Sequence, residues 1–205
     1  IAGEVAAIAP HRSGTVLTLK YEARDPHGEC VFTEYIGGML RGVRCPDGGR
    51  GAETLPEAPP PPAQGAPAWE RTLHIGPLAA HVYDACADVH FPIHTSRAFA
   101  RAVGLPGTLY QGTATLAQAV REVLEREAQG DPRRAAGVCC TFTGMVLPGS
   151  DIRIIGLGSV RVQTDIHVYF AVENADGKRA IDAGCLTLRG QTNGDRKSTR
   201  LNSSH

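Results

Sequence analysis

At 205 residues and 42% apolar content the chain is long enough to bury a real core, which excludes disorder throughout. Lys plus Arg equals Asp plus Glu at 21 each, so no overall field draws it to nucleic acid or to anionic lipid. No apolar run reaches the roughly 20 residues of a membrane span, and the first residues lack the basic-then-apolar order of a secretory signal. The expected setting is cytoplasmic, with neither membrane nor nucleic acid as partner.

Residues 1–43 read as strands alone: Ile1 to Ala9, Thr15 to Arg24 and Cys30 to Leu40. Asp25-Pro26-His27-Gly28 makes the turn between the last two, so they pair as a hairpin. From 44 to 68 the composition shifts to Gly48, Gly49, Gly51, Pro56 and the run Pro59-Pro60-Pro61-Pro62, with almost no large apolar residue. Such a stretch buries too little to offset the entropy of ordering and is expected to be an exposed, semi-stiff linker.

Apolar character resumes from Trp69 to Ala87 and leads into Asp88-Val89-His90-Phe91-Pro92-Ile93-His94-Thr95-Ser96. Here an acid and two imidazoles fall within seven positions, Pro92 restricts the backbone before His94, and Ser96 is suited to cap a helix. A short helix follows, with Ala98, Phe99, Ala102 and Val103 on its expected buried face and Gly104 ending it. From Thr113 to about Ala128 the spacing of Leu116, Ala117, Val120, Val123 and Leu124 predicts the longest helix, the central buried one. Strands return at Val138 to Gly144, Asp151 to Ile155, Thr164 to Glu173 and Arg179 to Arg189. One helix followed by antiparallel strands is an α+β pattern.

An internal comparison is informative. Tyr21 to Gly28, followed by a strand ending Met39-Leu40-Arg41-Gly42, lines up with Phe170 to Gly177, followed by a strand ending Thr187-Leu188-Arg189-Gly190. The chain is expected to hold two copies of one domain, complete over 69–190 and truncated over 1–43, with a missing upstream piece and an exposed sheet face. Residues 191–205 are polar and aperiodic; they are expected to be a disordered tail, and Asp195 to His205 resembles a translated sequencing adapter. The six cysteines form no Cys-x-x-Cys pair and are expected to be buried free thiols.

Phe91-Pro92-Ile93-His94, the short helix, Gly104-Leu105-Pro106-Gly107 and Tyr110-Gln111-Gly112 opening the long helix together resemble the MaoC-type hydratase family. The family pattern is Asp-x-Asn-Pro-x-His, then a helix, a Gly-rich turn and a His-Gly pair. The resemblance covers roughly Trp69 to Gly190. It implies a hot-dog fold, an antiparallel sheet wrapped around one long helix, with two copies pairing inside the full-length chain and a homodimer as a further option.

The resemblance implies an enzyme that adds water to 2-enoyl thioesters or removes it from 3-hydroxyacyl thioesters. Acyl-CoA is the expected substrate, and neither a cofactor nor a metal is called for. Carried over, the catalytic His is His94 and the Gly of the His-Gly pair is Gly112. Phe91 stands where the family has Asn, Gln111 where it has His, and the family Asp falls on Val89. Asp88 lies one residue early and is the acid candidate if a bulge absorbs the offset.

In that reading His94 and Asp88 form the acid/base pair, and the amides of Gly112 and Thr113 at a helix N-terminus hold the thioester oxygen. Arg97 and Arg101, one turn apart, are candidates for CoA phosphates, against the ordinary reading of exposed helix arginines. Two other functions stay open: thioester hydrolysis on the same fold, and a non-catalytic acyl-binding or assembly module, which Val89 and Phe91 favour.

Overall fold

The computed structural model describes residues 1–62 and 66–190, so the expected tail and part of the Pro-rich stretch lie outside the described residues. The chain divides into two compact units, Ile1–Glu57 and Ala58–His205. Among the described residues no helix is long and apolar enough to cross a membrane.

The first unit is a three-stranded antiparallel sheet in the order β1 (Ala2–His11), β2 (Gly14–Arg24), β3 (Cys30–Arg41). Every position of β3 is exposed, including Val31, Phe32, Tyr35 and Ile36. The stretch expected to be linker does not stand apart over its first half. Ile8 and Arg50 exchange backbone hydrogen bonds of 2.9 and 2.8 Å, and a 3₁₀ turn follows at Ala52–Thr54. Gly49 permits this approach: its φ is 80°, and a Cβ there would stand 2.2 Å from the Ile8 carbonyl oxygen.

The second unit carries a five-stranded antiparallel sheet in the order β4-β6-β7-β8-β5. Its strands are β4 (Trp69–Ile75), β5 (Ala135–Phe142), β6 (Ser150–Val162), β7 (Asp165–Glu173) and β8 (Arg179–Leu188). Three helices join them: α1 (Ala79–Ala87), α2 (Arg97–Ala102) and α3 (Gly112–Glu127). The sheet and α3 enclose one core, in which Ile152, Ile154, Val168, Phe170 and Val172 from the strands meet Ala114, Ala119 and Val123 from the helix. This is the hot-dog arrangement.

The turn of the β2–β3 hairpin and that of the β7–β8 hairpin are built alike. The Asp25 carboxylate accepts from the amides of His27 and Glu29, both at 2.9 Å. The Asn174 side-chain oxygen accepts from those of Asp176 and Lys178, both at 3.1 Å. Gly28 and Gly177 each donate to the carbonyl three residues back. These are Asx turns, in which a short polar side chain stands in for backbone acceptors.

Several expectations need correction. Trp69–Ile75 is a strand and Ala79–Ala87 a helix, where the sequence had shown only returning apolar character. β6 runs on to Val162, because Gly156 and Gly158 form a bulge that bends the strand without ending it. The buried face of α3 is turned from the expected one: Ala114, Thr115, Ala119 and Val123 are buried, Leu116, Val120 and Leu124 flank them, and Ala117 is exposed. Small side chains let the helix backbone approach the sheet closely, and the larger ones fill the margins. On α2 only Ala100 is buried, while Ala98, Phe99 and Ala102 on the helix and Val103 at its C-cap are exposed, since six residues bury little more than one line. Of the cysteines only Cys185 is buried; Cys30 opens the exposed β3 and Cys86 lies at the exposed end of α1.

Candidate active site

α1 ends at Asp88, which adopts the left-handed conformation (φ 53°, ψ 37°) and donates its amide to the carbonyl of Asp84. Asp tolerates this conformation better than most residues and here takes the place a helix-ending glycine usually fills. The chain then turns tightly: His94 donates its amide to Phe91 at 3.1 Å, and Ser96 donates to Pro92 at 2.8 Å. The Ser96 hydroxyl accepts from the Phe99 amide at 3.2 Å and so caps α2, as its sequence position predicts.

This turn is laced to the segment that opens α3. Leu109 donates its amide to Ile93 at 3.0 Å, and the Leu109 carbonyl accepts from Nδ1 of the half-buried His94 at 2.9 Å. A carbonyl can only accept, so Nδ1 carries the proton and the neutral ring keeps Nε2 as its basic nitrogen. The Phe91 ring meets the imidazole edge-on, 6.0 Å between centroids.

Gly112 is the first residue of α3, and Gln111 before it is the N-cap, with no hydrogen bond from its side chain to the helix. The amides of Gly112 and Thr113 belong to the first turn, which has no intrahelical acceptors and carries the positive end of the helix dipole. Both residues are exposed. The Phe142 ring packs against Gly112 so closely that a Cβ there would lie 3.0 Å from it. The Thr113 hydroxyl accepts from the Tyr83 hydroxyl at 3.0 Å, tying α1 to the same place.

The structure therefore brings His94 and Gly112 together through Leu109, but it does not join Asp88 to His94. The Asp88 carboxylate bonds Nε2 of His90 at 2.6 Å, and both side chains are open to solvent, 92% and 77% exposed. Asp88 is itself the left-handed cap of α1, and its carboxylate is engaged by His90. Arg97 and Arg101 are exposed on α2. Arg97 stands in the first turn, where the helix dipole disfavours a cation.

Sequence reasoning missed Asp84, and it noted Gln111 only as standing where the family has His, without its partners. Both are buried, and the Gln111 amide donates to Ala80 O at 2.9 Å and to Asp84 Oδ1 at 3.0 Å. The signal was the i, i+4 spacing of Ala80 and Asp84, legible only once Ala79–Ala87 is read as a helix.

Residues 62–159 match the family model of the MaoC like domain. The fatty acid synthase subunit beta of Aspergillus oryzae is 40% identical over 86 residues, 41% of this chain and 4% of that protein. The chain thus spans a small fraction of the length of such curated relatives. Among solved structures, the MaoC-like dehydratase from Phytophthora capsici superposes with a TM-score of 0.79 at 20% identity, over 93% of this chain and 64% of that one. The full-length peroxisomal multifunctional enzyme type 2 from Drosophila melanogaster superposes with a TM-score of 0.74 at 24% identity, over 91% of this chain and 33% of that one. At these identities the structural likeness is one of fold.

Proposed function

We propose that this chain, whose residues 62–159 match the MaoC like domain and whose second unit has the hot-dog fold, interconverts 2-enoyl and 3-hydroxyacyl thioesters, CoA being the carrier, by adding and removing water. The observation that carries the reading is the bond from His94 Nδ1 to the Leu109 carbonyl, three residues ahead of Gly112. It fixes a basic nitrogen and a set of unfilled helix amides to one short segment.

Hydration of an enoyl thioester needs a base for water, a proton for the carbon next to the carbonyl, and donors for the enolate oxygen that forms. In the proposed cycle Nε2 of His94 takes a proton from water as the oxygen attacks the β-carbon, then returns it to the α-carbon. Base and acid are then one imidazole, and atoms balance over the step. A positioned group of this kind contributes about 10²–10⁴-fold. The amides of Gly112 and Thr113 meet the thioester oxygen as it gains charge, each worth about 10²–10³ in rate where such donors have been removed. Arg97 and Arg101 are assigned to the phosphates of the carrier, a use that also accounts for a cation in the first turn of α2.

A second reading, an acyl-binding module without turnover, is favoured by the exposed Asp88–His90 pair and by Val89 and Phe91 at positions the family fills with polar groups. One experiment separates the two. The whole chain is incubated with a short 2-enoyl-CoA and with a saturated acyl-CoA. Loss of enoyl absorbance without release of thiol supports hydration, free thiol indicates hydrolysis, and binding without either change indicates the module.

A further inference from the structure

In the second unit the buried polar side chains among the described residues gather in one place. Asp84 is 7% exposed, Gln111 2% and Thr115 2%, all at the junction of α1 with the start of α3. The two hydrogens of the Gln111 amide are divided between α1's Ala80 carbonyl and the Asp84 carboxylate. The Gln111 backbone carbonyl accepts twice from Thr115, from its amide at 3.0 Å and its hydroxyl at 3.1 Å. The remaining Gln111 atom, Oε1, is buried without a hydrogen-bond partner. Burying a carboxylate and leaving an acceptor unfilled both oppose folding.

The arrangement does what an ordinary cap would not. A Ser, Asp or Asn at an N-cap turns its side chain onto the amides of its own helix and fills them. Gln111 instead reaches away to α1, so the first-turn amides stay unfilled by it while the helix start is held in place from the side.

We infer that Asp84 and Gln111 are positioning residues: their buried bond clamps the N-terminus of α3 to α1 and keeps the Gly112 and Thr113 amides open for the thioester oxygen. The inference rests on the proposed hydratase reading and adds two residues that touch no substrate.

The test compares kcat, KM and thermal midpoint of the whole chain with those of three variants, using a 2-enoyl-CoA. D84A should lower kcat about 10- to 100-fold, since misplacing a catalytic element by about 1 Å is worth up to about 10². D84N keeps an acceptor for the Gln111 amide and should lose less than about threefold. In D84A/Q111N both buried partners go and Asn can cap α3, so the midpoint should stay within a few degrees of wild type while kcat still falls at least about tenfold. KM should move by less than about threefold throughout, because the oxygen gains its charge only in the transition state. The inference is overturned if D84A/Q111N keeps wild-type kcat, or if D84N loses as much as D84A. Absence of turnover in the wild-type chain overturns the hydratase reading and this inference with it, whereas turnover that is indifferent to these variants overturns the inference alone.

Discussion

The imidazole of His94 is tied through Nδ1 to the carbonyl of Leu109 at 2.9 Å, so the ring and the helix that begins three residues later are held as one piece. Any displacement of the turn at 91–96 moves the basic nitrogen and the α3 amides together.

Asp88 is exposed and engaged with His90, so D88N should change kcat by less than about twofold. Val89 stands where the pattern that the sequence resembles has its Asp, and V89D should raise kcat by about tenfold or more by supplying a second proton-transfer group. Steady-state kinetics of the two variants against wild type check both statements.

At Gly112 activity and stability should part. G112A puts a methyl group 3.0 Å from the Phe142 ring, which is half exposed and has room to give. Alanine favours the helix by up to about 1 kcal/mol over glycine, so the midpoint should hold or rise slightly. The methyl group crowds the approach to the amides, and kcat should fall about 10²-fold. Melting curves and kinetics on one preparation read both effects.

How much could be read from sequence alone differed by element. The hairpins β2–β3 and β7–β8 followed from apolar runs closed by turns such as Asn174 to Gly177, whose chemistry is local, whereas β4 and the second half of β6 did not. The length of α3 followed from its period, but its buried face did not. Leu116 and Val120 outweigh Ala114 and Ala119 in any hydrophobic count, whereas close packing on the sheet selects the alanines. α1 went unread as a helix because it is short and Ala-rich behind Gly76-Pro77. That omission hid the Asp84–Gln111 bond and left Asp88 as an acid that a bulge could bring into place, where the structure makes it the cap of α1.

The rotated face of α3 has its own test. A114L and A119L insert bulk where the helix meets the sheet, at 1% and 0% exposure, and should each cost about 1–3 kcal/mol. A117L lies on the exposed side and should stay within about 0.5 kcal/mol of wild type. Urea unfolding midpoints at constant slope distinguish them.

Alkaline pH should weaken the fold through Cys185. Burial pushes its thiol up to about 12 from an ordinary value of 9.0. Above pH 9 the unfolded chain gives up this proton while the native chain keeps it, so stability is full below pH 9 and is lost as pH rises toward the native value. The slope attributable to this group is at most about 1.4 kcal/mol per pH unit. Thermal midpoints should therefore fall more steeply with pH in wild type than in C185A, between about pH 9 and 10.5.

One imidazole, fixed by Leu109, is expected to carry the proton transfers of a hydration reaction. Turnover of a 2-enoyl-CoA by the wild-type chain and by H94A, with thiol release followed in parallel and folding checked by circular dichroism, tests it most directly. The expected result is loss of enoyl absorbance without free thiol in wild type and a fall of about 10²–10⁴-fold in a folded H94A. Equal turnover by the two chains, or no hydration by wild type, would contradict it.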